Sequence, residues 1–167
     1  MKEDNKILKL VYTFFLGLLI AIFIGVGINT FYPGPKAPEF PVVLNTLSKE
    51  PTTDELATQR AFDIKMEQHN KDMRPYNRNV SIIAFIAAVV LRAVSLVYEN
   101  KIKVMADGVM LGGLFVLLYS LGRGFASENS KYVFIVVTVG LVTVLYLGYH
   151  RFVKAHEPKN TTSKIKA

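Results

Sequence analysis

The chain has 167 residues, of which 51% are hydrophobic, and its formal net charge is +7. It contains no cysteine, which excludes disulfides, thiolate catalysis and the commonest structural zinc sites. The apolar residues stand in blocks, and a helix needs roughly 20 of them in a row to cross a bilayer. The composition therefore predicts a single all-α integral membrane domain.

The first apolar block covers residues 7–31, with Lys2 and Lys6 in front of it and Lys9 near its beginning. A secretory signal peptide has the same charge order, but its apolar region runs only ~7–15 residues. We therefore expect an uncleaved first span, with cleavage as the alternative.

Residues 32–78 form the long loop, which opens with a proline-rich strap. Pro33, Pro35, Pro38 and Pro41 fix the backbone and remove donors, which favours an extended, polyproline-like chain. Thr52 and Glu55 then form a capping box, which predicts one short amphipathic helix reaching Asp72.

An apolar stripe on that helix continues toward the next span through Pro75. Its members within the loop are the candidates for contact with a partner protein: Phe62, Met66, His69 and Met73. The stripe admits two structures, a helix packed across the top of the bundle or one long helix that continues into span two. The first is favoured, since short helices rarely stand alone in water and proline kinks a helix.

Three further apolar blocks predict spans at residues 79–98, 104–121 and 132–153. The connections between them are short, and Gly122 and Gly124 suit the end of a helix. The expected architecture is a four-transmembrane-helix bundle with an extracytoplasmic loop that contains the strap and the amphipathic helix.

Basic residues near short loops set the orientation of a membrane protein. The N-terminal lysines, Lys101, Lys103 and the basic tail at residues 154–167 fall on one side of four spans. Both termini are therefore expected to be cytoplasmic in a multi-pass protein of the cell membrane. The tail is expected to touch anionic lipid, and nucleic acid is not expected as a partner.

Small residues recur every four positions in the first span, which places them on one helix face. This face holds Gly17, Ala21, Gly25 and Asn29, and Gly108 and Gly112 repeat the spacing in span three. Small residues let helices approach closely, so both sets predict helix packing, either within the bundle or in a homo-oligomer.

Arg92 lies about two turns inside span two, where an unpaired guanidinium costs several kcal/mol. Asp107, one turn into span three, is within reach across the hairpin. We therefore predict an intramembrane Arg92–Asp107 ion pair that clamps the two helices. A place in a proton or ion pathway, or simple snorkelling, are the alternatives.

The chain lacks phosphate-cradling glycine motifs, serine elbows and clustered metal ligands, so no catalytic site, cofactor or metal is expected. The function expected is that of a non-enzymatic accessory or scaffold component of a membrane complex with an unidentified membrane protein. The alternative is a protomer of an oligomeric channel or transporter for small solutes or ions. An enzyme acting on lipid is a third hypothesis, weakened by the absence of clustered intramembrane acids and bases.

Overall fold

A computed structural model describes residues 2–41, 53–98 and 102–149 of the chain. Within those ranges the protein is all-helical, with α1 (Lys2–Phe31), α2 (Thr53–Tyr98), α3 (Lys103–Phe125) and α4 (Ser130–Gly148). The first three helices are long and apolar enough to cross a membrane, whereas the apolar part of α4, Ser130–Tyr146, is shorter. The expectation of an all-α protein with membrane-spanning helices is confirmed at this level, and the predicted tail at residues 154–167 lies outside the described residues.

Helix α3 is the centre of the packing, because it contacts α1 and α2 extensively and α4 to a smaller extent. The buried apolar core is small and made largely of short side chains: Ala84, Ala88, Val80, Val116 and Leu117, with Ile28 and Tyr76 at one end. Large apolar side chains lie outside instead, such as Phe23 at 75% exposure and Phe134 at 72%. This inverted distribution is what a helix bundle surrounded by lipid requires, since lipid tails are as apolar as leucine.

Helix α2 is a single helix of 46 residues that continues through Pro75. The loop helix and span two are thus one continuous helix, which is the less favoured of the two structures that the sequence admits. Proline removes one backbone hydrogen bond and crowds the preceding turn at a cost of about 3 kcal/mol. Contacts of the adjacent Tyr76, described below, offset this cost. The capping-box residue Thr52 lies outside the described residues.

The two halves of α2 differ in composition. Residues 79–98 carry Arg92 as their one charged side chain and would extend about 30 Å. Residues 53–75, called the stalk below, are rich in charge and extend about another 34 Å. The stalk therefore continues an apolar helix well past the length that a bilayer accommodates.

Residues 33–41, called the strap below, contain no helix or strand and run beside the stalk. At one end a Cβ added to Gly34 would lie 3.0 Å from the Tyr76 ring. At the other end Phe40 meets Phe62 edge to face, with ring centroids 5.3 Å apart. The strap therefore lies antiparallel to the stalk. Its extended backbone covers about 19 Å from Gly34 to Phe40, which is close to the length of helix between Tyr76 and Phe62.

Helix α3 continues four residues beyond the expected end of span three, through Gly122, Arg123 and Gly124, and ends at Phe125, so the two glycines lie inside the helix rather than after it. Glu128 has a positive φ of 53° in the turn that follows. Asn129 then caps α4, its Oδ1 accepting a hydrogen bond of 3.1 Å from the Tyr132 amide. Arg123 is consequently held on a helix rather than in a loop.

Candidate functional site

The contact between α2 and α3 is a seam of small residues in an antiparallel register. Ser81 lies opposite Ser120, and Ser95 lies opposite Ala106. Between them, a Cβ added to Gly113 would lie 3.3 Å from the Ala88 carbonyl oxygen. The pairs recur every seven residues on both helices, which is the repeat of a left-handed helix pair, and the small side chains let the two backbones approach.

Serines join the two helices across this seam. The Ser81 hydroxyl donates to the Ser120 carbonyl and the Ser120 hydroxyl donates to the Ser81 carbonyl, each over 2.8 Å. Farther along, the Ser95 hydroxyl donates to the Ala106 carbonyl over 2.7 Å. All three serines are buried. Each bond of this kind contributes about 0.6 kcal/mol in membrane proteins, so the serines fix the register more than they supply stability.

Arg92 lies in the same seam and is 5% exposed. Its stem packs against α3, because a Cβ added to Gly113 would lie 3.2 Å from the Arg92 Cγ. Its Nε and Nη2 atoms are buried and have no hydrogen-bond partner among the described residues. The Arg92–Asp107 pair therefore stays a prediction.

The contact between α1 and α3 includes glycines from both of the predicted helix-packing sets. A Cβ on Gly17 would lie 3.0 Å from the Gly112 amide nitrogen, and one on Gly108 would lie 2.6 Å from Leu16 Cδ2. Ala21 packs partly buried against the core. The rest of the ridge lies away from this contact, since nothing lies within 4 Å of a Cβ added to Gly25, and Asn29 is exposed. The close approach is thus confined to one part of the predicted ridge.

Arg123 is the centre of a polar cluster at the Tyr76 end of the bundle. Its Nη1 donates to the Asn77 Oδ1 over 2.8 Å and its Nε donates to the Tyr119 hydroxyl over 3.1 Å. The guanidinium carbon lies 5.6 Å from the ring centroids of both Tyr76 and Tyr119. These distances are typical of cation–π contacts, so the cation is held by neutral groups on two helices.

Asn77 and Tyr76 extend this cluster to the neighbouring segments. Asn77 is buried and donates from Nδ2 to the Ala126 carbonyl over 3.1 Å, which ties α2 to the turn after α3. Tyr76 stacks on Tyr32 with centroids 5.4 Å apart and donates its hydroxyl to the Tyr32 carbonyl over 3.2 Å. The base of the stalk, the start of the strap and the end of α3 are therefore joined at one level.

The four loop candidates for partner contact are half-buried along one face of the stalk: Phe62, Met66, His69 and Met73. Phe62 contacts Phe40 of the strap, and Met73 packs against the core. The more exposed apolar side chains of the stalk lie on other faces, with Leu56 at 42% and Ile64 at 68% exposure. A partner that binds the stalk would therefore meet Leu56 and Ile64 more readily than the predicted stripe.

The stalk also carries local charge pairs. Lys71 Nζ lies 2.7 Å from Glu67 Oε1, and this hydrogen bond and charge hold the pKa of Glu67 below its ordinary value. Gln68 donates to Asp72 over 3.0 Å on the next position of the helix. These are pairs four residues apart on an exposed helix, and they stabilise it only by tenths of a kcal/mol.

Sequence reasoning missed the serine seam and the Arg123 cluster. The signal for the seam was present as Ser81, Ala88 and Ser95 at seven-residue spacing, matched by Ala106, Gly113 and Ser120. No comparable local pattern marks Asn77 and Arg123, which are 46 residues apart.

No group of three or more potential metal ligands occurs in the part of the chain that the structure describes. No protein-family model, curated protein or solved structure matches the chain.

Proposed function

We propose that this protein is a non-enzymatic component of a membrane complex, which uses the stalk to hold a partner protein at a fixed distance from the membrane. The observation that carries the proposal is the continuity of α2 from Thr53 to Tyr98. A helix that is part apolar span and part charged stalk fixes the position of the stalk in water relative to the span in the membrane.

Two features support a mechanical role for the stalk. The strap runs along one side of it from Tyr76 to Phe62, and Tyr76 and Asn77 fasten its base to α1 and α3 through side-chain contacts. Most of the stability of a helix in a protein comes from tertiary packing, and the strap supplies such packing to the stalk.

The proposed topology has four spans, with α4 as the fourth, both termini in the cytoplasm and the stalk outside. Helix α4 consists of 19 residues and would extend about 28 Å, close to the hydrocarbon thickness. Lysines at the start of α1 and at the start of α3 support this orientation by the bias of basic residues toward the cytoplasm.

The alternative of an oligomeric channel receives less support from Arg92. A residue that lines a conduction path needs access to water, whereas Arg92 is 5% exposed and packs between α2 and α3 of a single chain. Its burial favours a structural role in the seam.

Site-specific photo-crosslinking tests the proposal. A photoreactive residue at Ile64, exposed on the stalk, is expected to capture the same protein repeatedly in native membranes. The matched control is Val97, 71% exposed near the far end of α2, which is expected to capture lipid alone. Native mass spectrometry of the solubilised protein provides the second measurement. A complex with a different chain supports the proposal, and a homo-oligomer of three or more copies without another protein favours the channel.

A further inference from the structure

A cavity of about 470 Å³ opens between the base of the stalk and the beginning of α4. Three cationic side chains line it, Arg74 and Arg78 from α2 and Lys131 from α4. Glu128 is the one acidic side chain in its lining, and Ser127, Asn129 and Ser130 supply further polar groups. The lining therefore has an excess of two positive charges.

The charge in this cavity is only partly compensated. Arg74 forms an ion pair with Glu128 across the cavity. Arg78 and Lys131 have no carboxylate partner in residues 2–41, 53–98 and 102–149. Two cations on facing elements of one concave site, with no carboxylate partner in the described part of the chain, are suited to a phosphate group.

A second concavity of about 160 Å³ lies farther along the same two helices and exposes only apolar surface. Its lining is Ile82, Phe85 and Ile86 from α2 and Tyr132, Ile135, Val136 and Val139 from α4. Arg78, Ile82 and Ile86 follow at four-residue steps and share one helix face, so the cationic and apolar sites are stacked about 6–12 Å apart along α2. Tyr132 joins them, because it lines the apolar groove and donates its hydroxyl to the Arg78 carbonyl over 3.3 Å.

We propose that this combined site binds one anionic phospholipid, whose phosphate contacts Arg78 and Lys131 and whose acyl chain occupies the groove between α2 and α4. A free anion would use the cationic cavity but leave the groove empty, whereas a lipid matches both parts. The excess positive charge selects an anionic headgroup over a zwitterionic one, since basic pockets between membrane helices favour anionic lipids. The lipid thereby fills the gap where α4 packs least closely against the bundle. The site is separate from the stalk surface proposed to hold a partner.

Native mass spectrometry of the full chain in detergent, titrated with phosphatidylglycerol or phosphatidylcholine, tests this proposal. Phosphatidylglycerol is expected to bind in preference, and Arg78→Gln and Lys131→Gln are each expected to weaken it about fivefold, since each basic residue contributes roughly this much near an anionic lipid. The matched charge control is Arg60→Gln on the exposed stalk, outside both linings, which is expected to bind as the wild type does.

A second pair of variants separates the acyl chain from the headgroup. Val139→Trp fills the groove and is expected to weaken binding, whereas Val144→Trp, on the same helix but outside the groove, is expected to leave it unchanged. Equal binding of phosphatidylcholine, or equal losses in Arg60→Gln, would overturn the proposal. Competition by inorganic phosphate together with no effect of Val139→Trp would assign the cavity to a free anion and would also overturn it.

Discussion

The seam between α2 and α3 and the packing of α4 against α2 and α3 show two ways of joining membrane helices. The seam is closed by glycine, alanine and serine, with hydrogen bonds that cross from one backbone to the other. Helix α4 instead meets α2 across an apolar groove lined by large side chains, and on its α3 side the nearest atom to a Cβ added to Gly140 is Leu117 Cδ1, 3.8 Å away. Since lipid and side chains are equally apolar, close approach rather than hydrophobic burial stabilises membrane helix pairs. The first three helices should therefore form the stable unit, with α4 more loosely attached.

The largest effect is expected from a bulky residue in the seam. Gly113→Leu would drive a side chain into Arg92 and the Ala88 carbonyl, and overpacking of this kind is expected to cost about 3 kcal/mol in the free energy of unfolding. Denaturant unfolding in detergent micelles measures the cost. Gly140→Leu is the matched change in α4 and should be tolerated, because nothing lies closer than 3.8 Å. Equal losses in the two variants would contradict the contrast between the two contacts.

Replacement of Arg92 tests whether the seam depends on its charge. Arg92→Met keeps a long stem against Gly113 and removes a guanidinium whose Nε and Nη2 lack partners among the described residues. Stability is expected to be kept or raised by about 1–4 kcal/mol, as when buried ions are replaced by apolar groups. The predicted pair with Asp107 gives the opposite sign, because loss of Arg92 would leave the half-buried Asp107 carboxylate without its cation inside the membrane, at a cost of several kcal/mol. Such a loss, relieved by Asp107→Asn, would establish the pair.

Substitution of Asn77 tests how strongly the base of the stalk is attached to the end of α3. Asn77→Leu removes the acceptor for Arg123 and the donor for the Ala126 carbonyl, and we expect a loss of about 2 kcal/mol because both groups lose a buried partner. Asn79→Leu is the control, since Asn79 makes an exposed hydrogen bond to the Tyr32 hydroxyl. Its cost should be below about 1 kcal/mol. A larger loss for Asn79→Leu would show that the Arg123 cluster is not the stronger attachment.

The smallest effect on stability is expected from the removal of single hydroxyl groups. Ser120→Ala removes one of the reciprocal seam hydrogen bonds and should cost about 0.6 kcal/mol. Thr138→Val in α4 removes a hydrogen bond to the Phe134 carbonyl of its own helix and should change the free energy of unfolding by less than this. Double-mutant cycles with Ser81→Ala would show coupling to Ser120→Ala and none to Thr138→Val. Coupling of equal size in both cycles would argue against a special role for the seam.

The sequence predicts the helices better than it predicts their contacts. Apolar block length locates the spans, and four-residue spacing finds Gly17 and Gly112, which meet between α1 and α3. It overlooks the serine seam, because a seven-residue repeat on one helix becomes informative only when it is set in register with a second helix. The sequence pattern also places Arg123 in a loop. Nothing near Arg123 in the sequence indicates that Asn77 and two tyrosines bind its guanidinium and so keep it on α3.

The continuation of α2 through Pro75 is also not predicted by the sequence. Local propensity favours a helix end or kink before proline, whereas the contacts of Tyr76 with Tyr32 and the packing of Gly34 on its ring stabilise the helix on the other side. Those contacts depend on the strap returning along the stalk. Tertiary packing therefore decides the continuity of α2, which one-dimensional patterns do not encode.

A spin-label distance across Pro75 measures the continuity of α2. The chain has no cysteine, so Ala61→Cys and Ile83→Cys place the only two labels on exposed positions of the stalk and the span. One unbroken helix separates these positions by about 33 Å, and 22 residues bring them close to the same face. Double electron–electron resonance in lipid nanodiscs is expected to give a narrow distribution near that distance. A broad distribution centred below about 25 Å would mean that the stalk folds back across the bundle, and would contradict a continuous α2.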